Sequence, residues 1–486
     1  MNNSTVRTRM APSPTGEYHI GHIRTLLYNY ALAKQNNGQF IIRIEDTDQK
    51  RLIVGAQEKI LQVIKDYGLS WDEGPDIGGP YGPYVQTQRL DIYQKYIKEL
   101  LDKGLAYYCF CSEERLDEMR ETQKTAKKIP KYDRKCLSLS KKEIDNNLEN
   151  KVPFVIRMKM PENEIVEFED IVRGKIKINT KDLDDQVLIK SNGIPTYHLA
   201  VVVDDYLMKI THVLRGDEWI SSTPKHILLY RYFGWKLPIF GHLSVFLDPS
   251  GQGKMSKRKG SVSAQSFLDD GYLPEALLNF LMLLGWNPGT EKELFTLDEF
   301  IKEFSLKHLH KKQPIFDRKK LDFLNGYYIR QKSNQELEIL FKNFLPKAND
   351  EQIKTLVPIL KDRIIKLGDI VEQTKFIFED VEYDGSLLSW YKDKKIQEEL
   401  VTDMLKRTIK IIEGINEYTV SNIQKEIDNL LKIEYWRSED FLTGRYYMVL
   451  RVAICGSKFT PPVIECLPIL GKEATLRKLK IAINKL

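Results

Sequence analysis

β-capable runs alternate with helical periodicity as far as residue 111, return after residue 186, and give way to helix alone from about residue 326. These patterns predict a doubly wound parallel α/β sheet interrupted by an inserted α/β subdomain and followed by an all-α C-terminal region. Val6 to Met10 reads as the first strand, Pro12 to Gly16 as a turn, and Ile20 to Lys34 as the first helix. Gln39 to Ile44 is a second β-branched run that ends in Glu45-Asp46-Thr47-Asp48, and Gly55 to Tyr67 is periodic helix. Gly and Pro break the pattern from Gly74 to Pro83; Gln88 to Lys103 is then helical and Ala106 to Cys111 extended. Residues 112–185 are charged and irregularly spaced, as an insertion would be. Strand character resumes over Gln186 to Lys190, Thr196 to Val203 and Lys209 to Leu214. The expected partition is 1–111 and 186–250 for a Rossmann-like domain, 112–185 for the insert, 251–325 for a connecting region, and 326–486 for helices split near 375.

The chain has 486 residues, with 74 Lys plus Arg against 68 Asp plus Glu, a net charge of +6 that permits a phosphate-rich partner without requiring one. No uninterrupted apolar run of about 18 residues is present and the N-terminus lacks the apolar core of a signal peptide, which argues against membrane spanning and secretion. Five cysteines are few and odd in number, as expected of a reducing compartment. A cytoplasmic protein is the expectation.

Two segments carry chemistry. His19-Ile20-Gly21-His22 opens a helix directly after a strand and a turn, where helix amides and two imidazoles on one face suit a phosphate, and where Gly21 permits close approach. Gly251-Gln252-Gly253-Lys254-Met255-Ser256-Lys257-Arg258-Lys259-Gly260 is a basic loop between glycines, suited to stabilising charge on a leaving pyrophosphate. Either segment alone also reads as an ordinary surface feature.

Together the two segments resemble the signatures of class I aminoacyl-tRNA synthetases. Arg9 to Gly16, Arg43 to Asp48, Pro195-Thr196-Tyr197-His198, Val202 to Asp205 and Leu214-Arg215-Gly216-Asp217-Glu218 are similar, more narrowly, to the bacterial-type glutamyl-tRNA synthetases. The likeness continues through Leu283-Leu284-Gly285-Trp286, Lys320 to Asn325 and Leu470-Gly471-Lys472, so it spans essentially the whole chain. It implies two steps: glutamate and ATP give glutamyl-adenylate and pyrophosphate, and the glutamyl group then passes to the terminal adenosine of tRNA. Such chemistry asks chiefly for alignment and neutralisation of phosphate charge.

By this resemblance His19, His22, Lys254 and Lys257 are catalytic, and Gly21, Ser256 and Arg258 join them around ATP, with Mg2+ as the nucleotide's counterion. Arg9 and Tyr197 would face the side-chain carboxylate of glutamate, Arg215 the other carboxylate, and Glu45 with Ser13 the ammonium. Val201 stands where some relatives have Asn, which removes one polar contact. Cys109, Cys111 and Cys136 match three ligands of a zinc site in some relatives. Ser138 replaces the histidine that would be the fourth, so free buried thiols are the alternative to Zn2+.

The same likeness assigns the lysine-rich insert to the tRNA acceptor end and 251–325 to its stem, with Lys311 and Lys312 in a basic run at the inner corner. Residues 326–486 become the anticodon-binding region, with Arg363 at or near a base-reading position. Tyr446, Tyr447 and Arg451 are further candidates, although buried aromatics fit them equally. The expected partners are tRNA(Glu), with tRNA(Gln) left open, and the family norm is a monomer. Glutaminyl-tRNA synthetase is the nearest alternative, disfavoured because its C-terminal part carries β-barrels. A paralogue that binds tRNA without catalysis is the other, disfavoured by the intact histidines and lysines.

Overall fold

The computed structural model describes residues 5–251, 253, 255, 262–388, 394–432 and 443–486. It forms two compact units, Met1–Phe267 with Leu277–Arg318, and Leu268–Ala276 with Lys319–Leu486.

In the first unit β1 (Arg7–Met10) and β2 (Gln39–Ile42) pair in parallel, Arg7 opposite Gln39, through the crossover helix α1 (Ile20–Gln35). All of β1 is buried, and α1 buries Ile20, Ile23, Leu26, Leu27 and Ala31 against it, as a strand covered on both faces requires. α2 (Ala56–Asp66) buries Ile60, Leu61, Val63 and Ile64; α3 (Leu90–Asp102) leads into β3 (Ala106–Cys109). Residues 112–185 supply α4 (Glu113–Thr125), α5 (Lys141–Glu149), β4 (Val155–Met158), β5 (Ile165–Asp170) and β6 (Gly174–Asn179). After them come β7 (Val187–Ile189), α6 (Tyr197–Leu207), β8 (His212–Gly216), α7 (Thr223–Phe233) and β9 (Ile239–Leu243).

The sheets are mixed rather than wholly parallel. β8 and β9 pair in parallel, β5 from the insert joins β9 in parallel, and β6 folds back antiparallel on β5. A separate antiparallel sheet runs β3-β4-β7. The Thr211 amide donates to the Arg7 carbonyl at 2.9 Å and sets β8 beside β1. Residues 112–185 are therefore stitched, through β5, into the β8–β9 sheet.

Thr196 to Val203, expected as a strand, is instead the first part of helix α6. Leu199, Ala200, Val201, Val202 and Val203 are all buried between α3 and α7, so the run is apolar on every side. An apolar run buried all round carries no period to separate helix from strand. The same helix ends in the buried carboxylates Asp204 and Asp205. Asp204 accepts from Arg89 Nε at 2.7 Å, Gln86 Nε2 at 2.9 Å and the Tyr93 hydroxyl, while Asp205 accepts from Arg43 Nη1 at 2.8 Å and Arg9 Nε at 3.2 Å. Arg43 spans the two acids and also donates to Glu45 at 2.9 Å.

The second unit is helical throughout its described residues. Asn334–Phe344 and Asp350–Leu360 each open on a capping box, Ser333 with Glu336 and Asn349 with Gln352. One apolar core gathers Leu337, Phe341, Leu356 and Ile370, and another gathers Leu405, Ile427, Val449, Leu467 and Leu479. No helix of the described residues is long and apolar enough to cross a membrane.

Replacing Asp204 with Ala leaves the buried Arg89 without an acid and takes one of three acids from Arg43. Equilibrium denaturation should report a loss of about 3–5 kcal/mol, the usual cost of breaking a buried ion pair on one side; a loss below about 1 kcal/mol, typical of exposed pairs, would refute the cluster's structural weight.

Candidate active site

Parallel strands end with their carbonyl edges on one side, and a crevice forms there. Here a cavity of about 830 Å³ opens at the ends of β1, β2 and β8. Its lining includes Arg9, Ser13, His19, Gly21, His22, Glu45, Tyr197, Arg215 and Met255. One cavity thus gathers every nucleotide and amino-acid candidate among the described residues. Lys254, Ser256, Lys257 and Arg258 lie outside the described residues. Their flanks are placed: the Met255 amide donates to Phe246 O at 3.1 Å, the Ile20 amide donates to Val262 O at 2.8 Å, and Ala264 donates to Tyr18 O. Met255 and Val262 are therefore both placed near the His19 helix start.

The first helical turn corrects one expectation. His19 is the N-cap of α1, and its Nδ1 accepts from the Gly21 amide at 2.8 Å. The Ile20 amide goes to Val262 and the His22 amide to His19 O, so the first three amides are already satisfied and do not form a phosphate cradle. The two imidazoles remain, with ring centroids 6.0 Å apart. A Cβ on Gly21 would meet His19 Nδ1 at 3.0 Å, so glycine here protects the cap.

At the amino-acid end, Arg9 is buried, turns its Nε to Asp205, and leaves both terminal nitrogens without a hydrogen-bond partner among the described residues. Glu45 is buried beside Arg43, and burial raises its carboxyl to about 7 against the opposing pull of Arg43. Ser13 is exposed at the rim. Arg215, at the end of β8, is only 6% exposed and has no carboxylate within ion-pair distance among the described residues. Its partners are neutral: Nη1 donates to the Tyr197 hydroxyl at 3.0 Å, Nη2 to Thr223 Oγ1 at 2.9 Å, and Nε to His242 Nε2 at 3.1 Å. The Tyr197 ring lies 4.2 Å from that of Trp219, which holds the hydroxyl in place. A buried guanidinium without an acid is costly, and an anionic ligand offsets it.

Sequence reasoning missed His242, Thr223, His226 and Trp219. They belong to no motif, and only the β8–β9 register, which sets Arg215 opposite His242, brings the first of them to the site.

Residues 5–323 match the family model described as tRNA synthetases class I (E and Q), catalytic domain, and residues 336–483 match the anticodon binding domain. The chain belongs to this synthetase family. It is 45% identical to the glutamate--tRNA ligase of Clostridium tetani, covering 100% of this chain and 99% of that one, and 42% identical to that of Borreliella burgdorferi over 98% of each. A crystal structure of a glutamate tRNA ligase from Elizabethkingia meningosepticum in complex with its amino acid is similar over 99% of both chains, with 36% identity and a TM-score of 0.81.

In this synthetase the three candidate cysteines do meet: the sulfurs of Cys109, Cys111 and Cys136 lie within 4.8 Å of one another. The set falls one ligand short of a structural zinc site, because Ser138 is exposed and its hydroxyl donates to Lys135 O at 2.9 Å. Cys111 Sγ has the Tyr132 hydroxyl at 3.4 Å and Arg115 Nη1 at 3.3 Å, and Arg157 hydrogen-bonds Cys109. Lys311 and Lys312 are exposed, and their carbonyls are held by Arg173 Nη1 and Ser244 Oγ. In the insert, Lys127, Lys128 and Lys135 face solvent, whereas Arg134 pairs with Asp185 and Lys131 donates to Lys181 O. In the helical unit Arg363 is exposed, and Tyr446 is fully buried with its hydroxyl on Thr408, a core aromatic.

Glu45 gains its charge only as pH rises through about 7. The KM for a cationic amino group should accordingly rise as pH falls below that value, and Glu45→Gln should flatten the profile; a wild-type KM that stays constant from pH 6 to 8 would exclude Glu45 from the amine site.

Proposed function

We propose that the protein joins L-glutamate to tRNA in an ATP-driven, two-step reaction. The carrying observation is a single cavity that presents paired imidazoles at one end and a guanidinium without an acid partner at the other. A ligand with phosphates at one end and two carboxylates at the other satisfies both. In the first step the α-carboxylate oxygen attacks the α-phosphorus of ATP, the bond to the β-phosphate oxygen breaks, and pyrophosphate leaves. In the second a terminal ribose hydroxyl attacks the acyl carbon, loses its proton, and releases AMP.

His19 and His22 are assigned to the phosphates, with Gly21 leaving room for the His19 cap beside them. Because Nδ1 of His19 accepts from an amide, its Nε2 carries the proton and donates. Lys254, Ser256, Lys257 and Arg258 are assigned to the departing pyrophosphate, which the anchoring of both flanks beside His19 supports. Arg9, with two unengaged nitrogens, is assigned to the side-chain carboxylate together with Tyr197, and Arg215 to the α-carboxylate. Glu45 and Ser13 take the ammonium. Mg2+ enters with ATP and shields phosphate charge when bound. No step is routed through zinc.

For tRNA, the exposed lysines 127, 128 and 135 are assigned to the acceptor end, Lys311 and Lys312 to the inner corner, and the helical unit with Arg363 to the anticodon. tRNA(Glu) is the substrate in this reading and action in the cytoplasm goes with it; charging of tRNA(Gln) is read from the separated tRNAs.

Protein supplied with ATP, Mg2+ and tRNA should charge tRNA with labelled glutamate and not with glutamine; the reverse preference overturns the reading. Arg9→Ala removes hydrogen bonds to a charged group, worth about 1.5–3 kcal/mol, so the glutamate KM should rise roughly tenfold to a hundredfold while the ATP KM holds. Lys257→Ala should depress adenylate formation far more than tRNA affinity, and equal losses would contradict its place over the triphosphate.

A further inference from the structure

Arg215 does not stand alone. It lies opposite His242 in the parallel β8–β9 ladder, and β5, next in the sheet, ends at Asp170, opposite Phe240. Three neighbouring strands thereby line up Asp170, His242 and Arg215. Asp170 Oδ2 is 2.6 Å from His242 Nδ1, and His242 Nε2 is 3.1 Å from Arg215 Nε. The imidazole is fully buried and Asp170 nearly so.

Arg215 Nε is only ever a donor, so His242 Nε2 must be an acceptor and Nδ1 must carry the single ring proton. Asp170, an acceptor, is the partner that enforces this tautomer. Its other oxygen, Oδ1, is held by the amides of Val172 at 3.0 Å and Arg173 at 2.8 Å. That pinning leaves only Oδ2 to face the ring. Burial and the nearby Arg215 charge keep His242 neutral, and the His242 hydrogen bond, working against burial, holds Asp170 ionised.

We propose that Asp170 and His242 are positioning residues for substrate recognition: they fix the rotation of the Arg215 guanidinium so that its Nη1 edge, shared with Tyr197, faces the substrate carboxylate. The proposal rests on the assignment of Arg215 to a carboxylate. Neither residue touches substrate. The aspartate selects one tautomer, the tautomer offers one lone pair, and that lone pair fixes one nitrogen of a planar, five-donor group. Once Nε is fixed, the direction of the Nη atoms follows from the planarity of guanidinium. The Thr223 hydroxyl, 3.1 Å from His242 Nε2, accepts from Arg215 Nη2, and His226 Nδ1, 3.3 Å from both Nη atoms, completes the cradle.

The test uses three near-isosteric variants in the full chain, with KM values for glutamate and ATP read in tRNA charging. In Asp170→Asn the backbone amides keep Oδ1, so the new NH2 faces His242 Nδ1, drives the ring proton to Nε2, and sets donor against donor at Arg215; the logic is that of the tautomer loss seen when a triad aspartate becomes Asn. The glutamate KM should rise at least about tenfold, as expected for a lost hydrogen bond to a charged group, with the ATP KM unchanged. His242→Asn keeps a donor for Asp170 but removes the acceptor for Arg215 and should behave alike. His242→Gln restores an acceptor at the Nε2 position and should recover most of the glutamate affinity. Asp170→Asn with an unchanged glutamate KM, or all three variants losing glutamate and ATP affinity together, would overturn the proposal. Arg215→Ala separates the two readings. If it raises the glutamate KM while Asp170→Asn does not, only the positioning role falls; if Arg215→Ala leaves that KM unchanged, the carboxylate assignment falls and the proposal with it.

Discussion

The buried ion cluster at the end of helix α6 is the constraint on which the site depends. Asp204 and Asp205 sit side by side in the interior and are answered by Arg9 from β1, Arg43 from just past β2 and Arg89 ahead of α3. A shift of β1, β2 or the start of α3 against α6 separates one of these pairs, and an unpaired buried charge costs several kcal/mol. The carboxyl ends of β1 and β2 are therefore fixed relative to α6, whose first residue is Tyr197. The cavity inherits its shape from that lock. Arg9 serves two roles, since its Nε faces Asp205 while the residue also lines the cavity; Arg43 is wholly structural, with every nitrogen turned to Asp204, Asp205 or Glu45.

The site divides its electrostatic labour between compensated and uncompensated cations. Arg9 and Arg43 are paired with acids, whereas Arg215 is surrounded by a phenol, a hydroxyl and two imidazoles. Neutral acceptors orient a guanidinium without cancelling its field, so the charge remains for the ligand. Glu45, raised by burial, supplies the opposite polarity nearby. A small zwitterion with an extra carboxylate meets a surface patterned by groups held in different ionisation states, which is how a polar pocket discriminates among amino acids that differ by one functional group.

Much of this was legible in the sequence because the relevant signals are local. Turn prolines, the His19-Ile20-Gly21-His22 helix start and the Glu45-Asp46 strand end each follow a β-run, and α1, α2 and α3 show helical spacing plainly. The helix α6 was misread because Leu199 to Val203 is buried on every side and has no period. The antiparallel β5–β6 pair, and the entry of β5 into the catalytic sheet, depend on long-range pairing that no local pattern specifies. His242 and Asp170 were invisible for the same reason. The helix-start amides show the converse failure: the helix start was placed correctly, but the partners that consume the amides come from Val262 and from the His19 side chain, and these appear only in three dimensions.

That last arrangement has an evolutionary corollary. In proteins that cradle phosphate with main-chain amides, recognition is written in backbone geometry and is nearly indifferent to which side chains surround it. Here the first three amides of α1 are spoken for, and at this helix start recognition is left to side chains. Each such contact can be strengthened, weakened or exchanged by a single codon change, so nucleotide affinity in this chain is open to gradual adjustment without any alteration of loop length or strand order.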